Sequence, residues 1–165
     1  FISDNYPPSA HQAAFDLYKF TPSLIHEIYY PWGINNTNHS RVQDDDAVGD
    51  LHQAQQMGHL NRPESFQRRR DQITAYCAEA RGLVEALGEE IPKQQKQAML
   101  NGLKVLQFIA LSTSDKMEAI FWQEKGELAE FTLVKARIIE RLAEWESFHP
   151  ESFSSMNAED ALNDI

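Results

Sequence analysis

The chain has 165 residues and a mass of 18.9 kDa, enough for one domain with a continuous apolar core. Its net charge of −10 and isoelectric point near 5.0 argue against nucleic acid and anionic membrane surfaces as partners, because both repel an acidic chain. Seven Gly and seven Pro are too few for the turns of a β-sandwich or barrel, and no apolar run approaches the roughly 20 residues of a membrane span.

The expected fold is all-α: an antiparallel bundle of about four to six helices with a long C-terminal helix. Residues 1–60 are expected to form short helices and a polar loop packed on the bundle. Residues 61–148 form its core, and 149–165 a C-terminal tail. In the first part, 9–20 and 22–30 read as two short helices, the second started by Thr21-Pro22 and stopped by Pro31-Trp32-Gly33. A polar loop follows over 34–43. The acids Asp44, Asp45 and Asp46 then cap a helix carrying Val48, Leu51, Ala54 and Met57 to about Gly58.

The second part opens with Asn61 as a cap and Pro63 in a first helical turn. Phe66, Ile73, Cys77, Ala80, Val84 and Leu87 make an apolar stripe at helical spacing, and Gly88 stops it. Arg70 interrupts that stripe, so its charge calls for an acidic partner inside the bundle. Pro92 opens a third helix with Ala98, Met99, Leu103, Leu106 and Ile109 inward. Ser114 reads as the N-cap of the last helix, with Asp115 and Glu118 at the positive end of its dipole. Met117, Phe121, Leu128, Phe131, Ile138, Leu142 and Trp145 then recur at three- and four-residue spacing. Unbroken over 115–147, that helix is about 50 Å long, with Gly126 the one place to kink or divide.

The residues that bear chemistry are scattered. Asp46, Asp50 and His52 are the weak candidates for a metal site on the helix after the polar loop. Carboxylates on one helix hold a divalent cation only with a second acidic set on a facing helix, and no set has matching spacing. His52 and His59 stand seven residues apart, roughly 10 Å along a helix, too far for one zinc ion. Arg68 and Arg69 offer guanidinium forks to a carboxylate or phosphate. Cys77 sits on the inward stripe as a small hydrophobe. A helix with Tyr76-Cys77 and a closing Gly88 resembles the carboxymuconolactone decarboxylase family over fewer than twenty residues, but the resemblance fails at the catalytic positions and assigns no family. Arg81 stands where that family's motif has a His, and Thr74 where a second Cys often lies. No phosphate loop, dinucleotide fingerprint, nucleophile elbow or helical zinc motif occurs.

Eight of the seventeen aromatic residues fall in the first 32 positions. Tyr18, Tyr29, Tyr30 and Trp32 belong to that set, and such residues dominate partner interfaces when they stay exposed. The functional expectation is accordingly a non-catalytic interaction module (adaptor, regulator or inhibitor) that uses an aromatic N-terminal surface and no cofactor. Its partner is a protein, suited by a basic surface, and a homodimer through the C-terminal helix is supported by the apolar Ile120, Trp122, Leu133, Val134 and Ile139. The alternative is an all-α enzyme or a metal- or small-ligand-binding protein with a pocket between the N-terminal aromatics and the 44–59 helix. A lone Cys requires no oxidising compartment, which suits the cytoplasm. A first residue that is Phe rather than Met suggests a processed or excised piece.

Overall fold

The computed structural model describes residues 1–29 and 46–148. Among them are six α-helices and no strand: α1 (Ile2–Asn5), α2 (His11–Tyr29), α3 (Asp46–Gln56), α4 (Pro63–Glu85), α5 (Lys93–Lys125) and α6 (Leu128–Phe148). A 3₁₀ turn, Pro8–Ala10, leads into α2. The all-α expectation holds. The expected polar loop and the tail lie outside the described residues, as do Asp44, Asp45, Tyr30 and Trp32. Among the described residues no helix is long and apolar enough to cross a membrane.

The expected α4 stripe is the spine of the core. Phe66, Ile73, Cys77, Ala80, Val84 and Leu87 are all buried. Pro63 occupies the first helical turn, where its missing N–H is no loss. Arg62 rather than Asn61 precedes the helix, and the Asn61 amide donates instead to the Gln55 carbonyl. Gly88 lies just beyond the helix at φ +81, a left-handed turn that a residue with a Cβ resists.

Residues 11–29 form one helix rather than two. Pro22 lies inside α2 and removes a backbone hydrogen bond, a disruption of about 3 kcal/mol in a free helix. The helix stays whole because both halves bury one stripe. Ala14 before the proline, and Leu24 and Ile28 after it, pack in a single cluster with Ile73, Cys77 and Ala80 of α4. Tertiary packing outweighs local propensity here. Arg69 fixes the pairing: its guanidinium is buried at 6% exposure and donates to the Glu27 carbonyl oxygen, while Gln72 donates to the Glu27 carboxylate at 2.8 Å. Burial lowers the Arg69 guanidinium to about 10, with the nearby Glu27 charge acting in the opposite direction.

The expected break at Ser114 is also absent. α5 runs through it without interruption for 33 residues, about 50 Å. Ser114 is buried within the helix, not at its start. Nothing between 93 and 125 obliges the chain to leave the helix, and Thr113 satisfies its hydroxyl on the Ile109 carbonyl at 3.0 Å. The division falls at Gly126 instead. At φ +73 it lets Glu127 N–H reach the Trp122 carbonyl and Gly126 N–H the Gln123 carbonyl, both at 3.0 Å, which closes α5 in a Schellman motif. Gly126→Ala should lower unfolding stability by about 1 kcal/mol, read from urea unfolding.

Short connections make α4, α5 and α6 antiparallel neighbours, with α5 in the middle. α2 covers the α4–α5 seam, and α3 packs on the far end of α5 through Leu51, Ala54, Met117 and Phe121. Central position explains why α5 is buried over most of its circumference from Phe108 to Phe121. Of the expected inward ladder, Ile138, Leu142 and Trp145 are buried on α6, whereas Leu128 is 74% exposed at the helix start; Val134, read with the dimer face, is instead buried in the core beside them.

Cys77 lies deep in this core, 1% exposed. Burial pushes its thiol up to about 11, against a smaller pull from Arg81. The native state therefore keeps a proton that the unfolded chain loses near pH 9. Its contribution to stability is complete below pH 9 and disappears as pH rises through about 11. Native protein at pH 8 should leave Ellman's reagent unreacted at this thiol and react fully once unfolded in urea. Stoichiometric labelling of the native form would contradict the buried position.

Candidate functional site

A cavity of about 450 Å³ opens where α4, α5 and α6 meet. On α5, Lys104, Gln107, Phe108 and Leu111 follow one another at three- and four-residue spacing, so they share one helix face. From α6 come Arg141, Glu144 and Trp145, again one turn apart, and α4 supplies Arg81. The walls are half apolar. Phe108 and Trp145 are both buried and stack with ring centroids 4.3 Å apart and planes inclined by 22°. Such a pair is rigid, because each ring restricts the rotamers of the other.

The rest of the lining is polar and includes three cations. Arg81, Lys104 and Arg141 reach the cavity from three different helices, and Glu144 is the one carboxylate among the described lining residues. No histidine is among them. In a chain of net charge −10, this is a local reversal of sign.

Arg141 does not sit at the rim by chance. Its Nε and Nη2 donate to Asp115 Oδ2 at 2.9 and 2.7 Å. Asp115 is 0% exposed, and its other oxygen accepts from Arg137 Nε at 2.9 Å. Arg70 lies 3.6 Å from the same Oδ1 and pairs closely with Glu118, which also accepts from Arg137. Three guanidiniums thus surround two carboxylates behind the cavity, knitting α4, α5 and α6 together. The i,i+3 pair Asp115 and Glu118 on α5 faces the i,i+4 pair Arg137 and Arg141 on α6, so both helices present their charges on one face. The cluster answers the requirement that Arg70 finds an acidic partner. It also corrects the reading of Asp115 and Glu118 as helix-start acids: they are buried mid-helix and hold arginines.

The residues singled out from sequence lie elsewhere. Tyr18 is 44% exposed and meets Phe1 edge-on at 5.3 Å, within a surface that also exposes Phe15. Tyr29 ends α2, while Tyr30 and Trp32 fall outside the described residues. Arg68 is exposed, but Arg69 is buried against Glu27, which removes it from any partner-facing surface. Asp46 starts α3, and Asp50 is half-buried one turn further on. His52 Nε2 lies 2.7 Å from Glu124 Oε1, so it ties α3 to the end of α5. Among the described residues no group of three or more His, Cys, Asp or Glu is placed to hold a metal ion. Among the described residues, the cavity takes no wall from the N-terminal aromatics or from α3.

Comparison of the chain with protein-family models, with curated proteins and with solved structures returns no match.

Proposed function

We propose that this chain is a helical binding module that holds a small organic anion in the α4–α5–α6 cavity, without catalysing a reaction on it. The observation that carries this reading is the convergence of Arg81, Lys104 and Arg141 from three helices beside a stacked aromatic wall, in an otherwise acidic protein. A pocket of a few hundred Å³ with apolar walls and a few polar anchors is the usual form of a small-ligand site. A binding role suits the chemistry at hand: the Cys77 thiol is buried and held protonated, and the Ser147 hydroxyl is spent on the Glu144 carbonyl at 2.7 Å.

Thermal unfolding in the presence of aryl anions tests the reading. Benzoate or phenyl phosphate at ten times its dissociation constant should stabilise the fold by about 1.4 kcal/mol, raising the midpoint by about 3–6 °C. Benzyl alcohol, similar in shape but neutral, should leave it unchanged, and Arg81→Glu should remove the effect. Equal shifts from the alcohol and the anions, or none from either anion, would refute an anion site.

A second surface supports the interaction role expected from the sequence. Phe1 and Tyr18 meet edge-on and are exposed near the N-terminus, Phe15 is exposed one turn before Tyr18 on α2, and the net charge favours a protein partner with a basic face. Leu128, Leu133 and Ile139 are exposed on α6, consistent with self-association through that helix. On this reading sedimentation shows a mass above 18.9 kDa that rises with concentration, and a constant monomer mass would remove the dimer. The reading places the module in the cytoplasm, where a lone thiol stays reduced.

A further inference from the structure

Arg141 faces two ways: it lines the cavity, and it is anchored from behind. Its Nε and Nη2 both donate to Asp115 Oδ2, at 2.9 and 2.7 Å, so one carboxylate oxygen sits astride the guanidinium edge that those two nitrogens share. Asp115 is itself held. It is 0% exposed, and its Oδ1 accepts from Arg137 Nε at 2.9 Å with Arg70 at 3.6 Å. Among the described residues Arg141 bonds to nothing else.

A guanidinium carries five N–H groups in one plane. Asp115 takes the one on Nε and one of the two on Nη2. The edge that joins Nη1 to Nη2 keeps two parallel donors, the fork that matches two oxygens on one centre. A free arginine gives up much of its rotamer freedom when a ligand fixes it, whereas one already held by another edge has given it up on folding. The apolar wall is in register with this donor. Trp145 follows Arg141 by one turn of α6, and Phe108 precedes Asp115 by two turns of α5, so the stacked rings and the anchored pair share one side of each helix.

Resting on the anion-site reading above, we infer that Asp115 is a positioning residue for the cavity: it holds Arg141 so that the Nη1–Nη2 edge meets the ligand's oxyanion as a two-pronged contact. The ligand is an apolar group bearing two oxygens on one centre, as in a carboxylate or a phosphate, with its body against Phe108 and Trp145. Asp115 does not touch it. Two consequences separate this role from charge alone. Taking a carboxylate away from behind an anion site strengthens anion binding if only charge counts, and weakens it if the carboxylate sets the geometry. Lys in place of Arg141 keeps the charge but has no planar fork.

Isothermal titration of benzoate and phenyl phosphate into the parent protein, Arg141→Lys and Asp115→Asn tests the role. Arg141→Lys should weaken both anions about tenfold, the loss of one bidentate contact. Asp115→Asn, which keeps the side-chain shape and removes the charge, should weaken both by about threefold to tenfold, the cost of ordering one long side chain on binding. The parent protein carries an independent test that needs no buried substitution. In arginine side-chain ¹⁵N spectra, with the Arg141 signals assigned from their loss in Arg141→Lys, the Nε–H should be protected from exchange before ligand is added. It should keep its shift through a benzoate titration, while the Nη signals move. Unchanged affinity in Arg141→Lys, or tighter binding by Asp115→Asn, would overturn the positioning role and leave the anion site standing. So would an Nε–H that shifts with ligand while the Nη signals stay fixed. Binding of neither anion by the parent protein would overturn the anion site and this inference together.

Discussion

Asp115→Ala is expected to lower the unfolding free energy by about 3–5 kcal/mol, a fifth or more of the stability of an ordinary domain. The carboxylate is completely buried and takes three hydrogen bonds from Arg137 and Arg141, with Arg70 close by. Removing it leaves three guanidiniums facing one another around Glu118 alone. The loss arises less from the attraction that disappears than from buried charge left without compensation. A comparison isolates that cause. Arg141→Leu removes one cation from the same cluster but leaves two guanidiniums for two carboxylates, so its penalty should be clearly smaller. Urea unfolding with an unchanged slope would report both as stability changes rather than altered compactness. An Asp115→Ala protein as stable as the parent would contradict the buried network.

Trp145→Ala should follow in size, at about 3–5 kcal/mol. The indole is 3% exposed, stacks on Phe108 and belongs to the cluster with Val134, Ile138 and Leu142 that joins α6 to α5. Its loss opens a hole that the straight helices on either side cannot close by sliding, because the Asp115 cluster one to two turns away pins them. The same change strips the cavity of its flat wall. The prediction is thus twofold: a lower unfolding midpoint, and phenyl phosphate binding that weakens at least as far as in the Arg81→Glu variant. Trp145→Phe keeps a ring in place and should restore most of both. A variant that lost stability but bound phenyl phosphate like the parent would remove the aromatic wall from the proposal.

What the sequence made legible was whatever depended on periodicity. The α4 stripe from Phe66 to Leu87 is buried as its spacing requires, and Gly88 ends it. Arg70, alone on an apolar face, correctly demanded an acid. Local punctuation was a poorer guide. Pro22 reads as a boundary, yet the packing of Leu24 and Ile28 carries α2 past it. Ser114 reads as a cap because serine followed by acids is a frequent helix start, but the same residues occur in a helix buried on every side. That one misplacement hid the site. With Asp115 and Glu118 assigned to a helix end, no acid was left inside the bundle to point to Arg137 and Arg141.

The cavity was beyond reach for a further reason. Its walls come from positions 81, 104–111 and 141–147, and nothing local brings these together. Their meeting depends on α5 turning back at Gly126, which sets Phe108 beside Trp145 and Asp115 beside Arg141. A signal was present in retrospect: Asp115 and Glu118 repeat at one turn, as do Arg137 and Arg141, and opposite charges with matching spacing on consecutive helices imply facing seams. The aromatic first third drew attention because its composition was unusual, whereas the cationic cavity is built from residues common on any surface. Composition marks unusual segments; convergence of ordinary residues needs the fold.

The central claim is the place of binding, and a residue-resolved map tests it most directly. Titration of ¹⁵N-labelled protein with phenyl phosphate should shift the amide signals of Arg81, Lys104, Phe108, Leu111, Arg141 and Trp145, including the Trp145 indole N–H. Amides around Phe1, Phe15 and Tyr18 should stay fixed. Saturable shifts confined to that N-terminal aromatic surface, with the α4–α5–α6 residues unmoved, would contradict the assignment of the site.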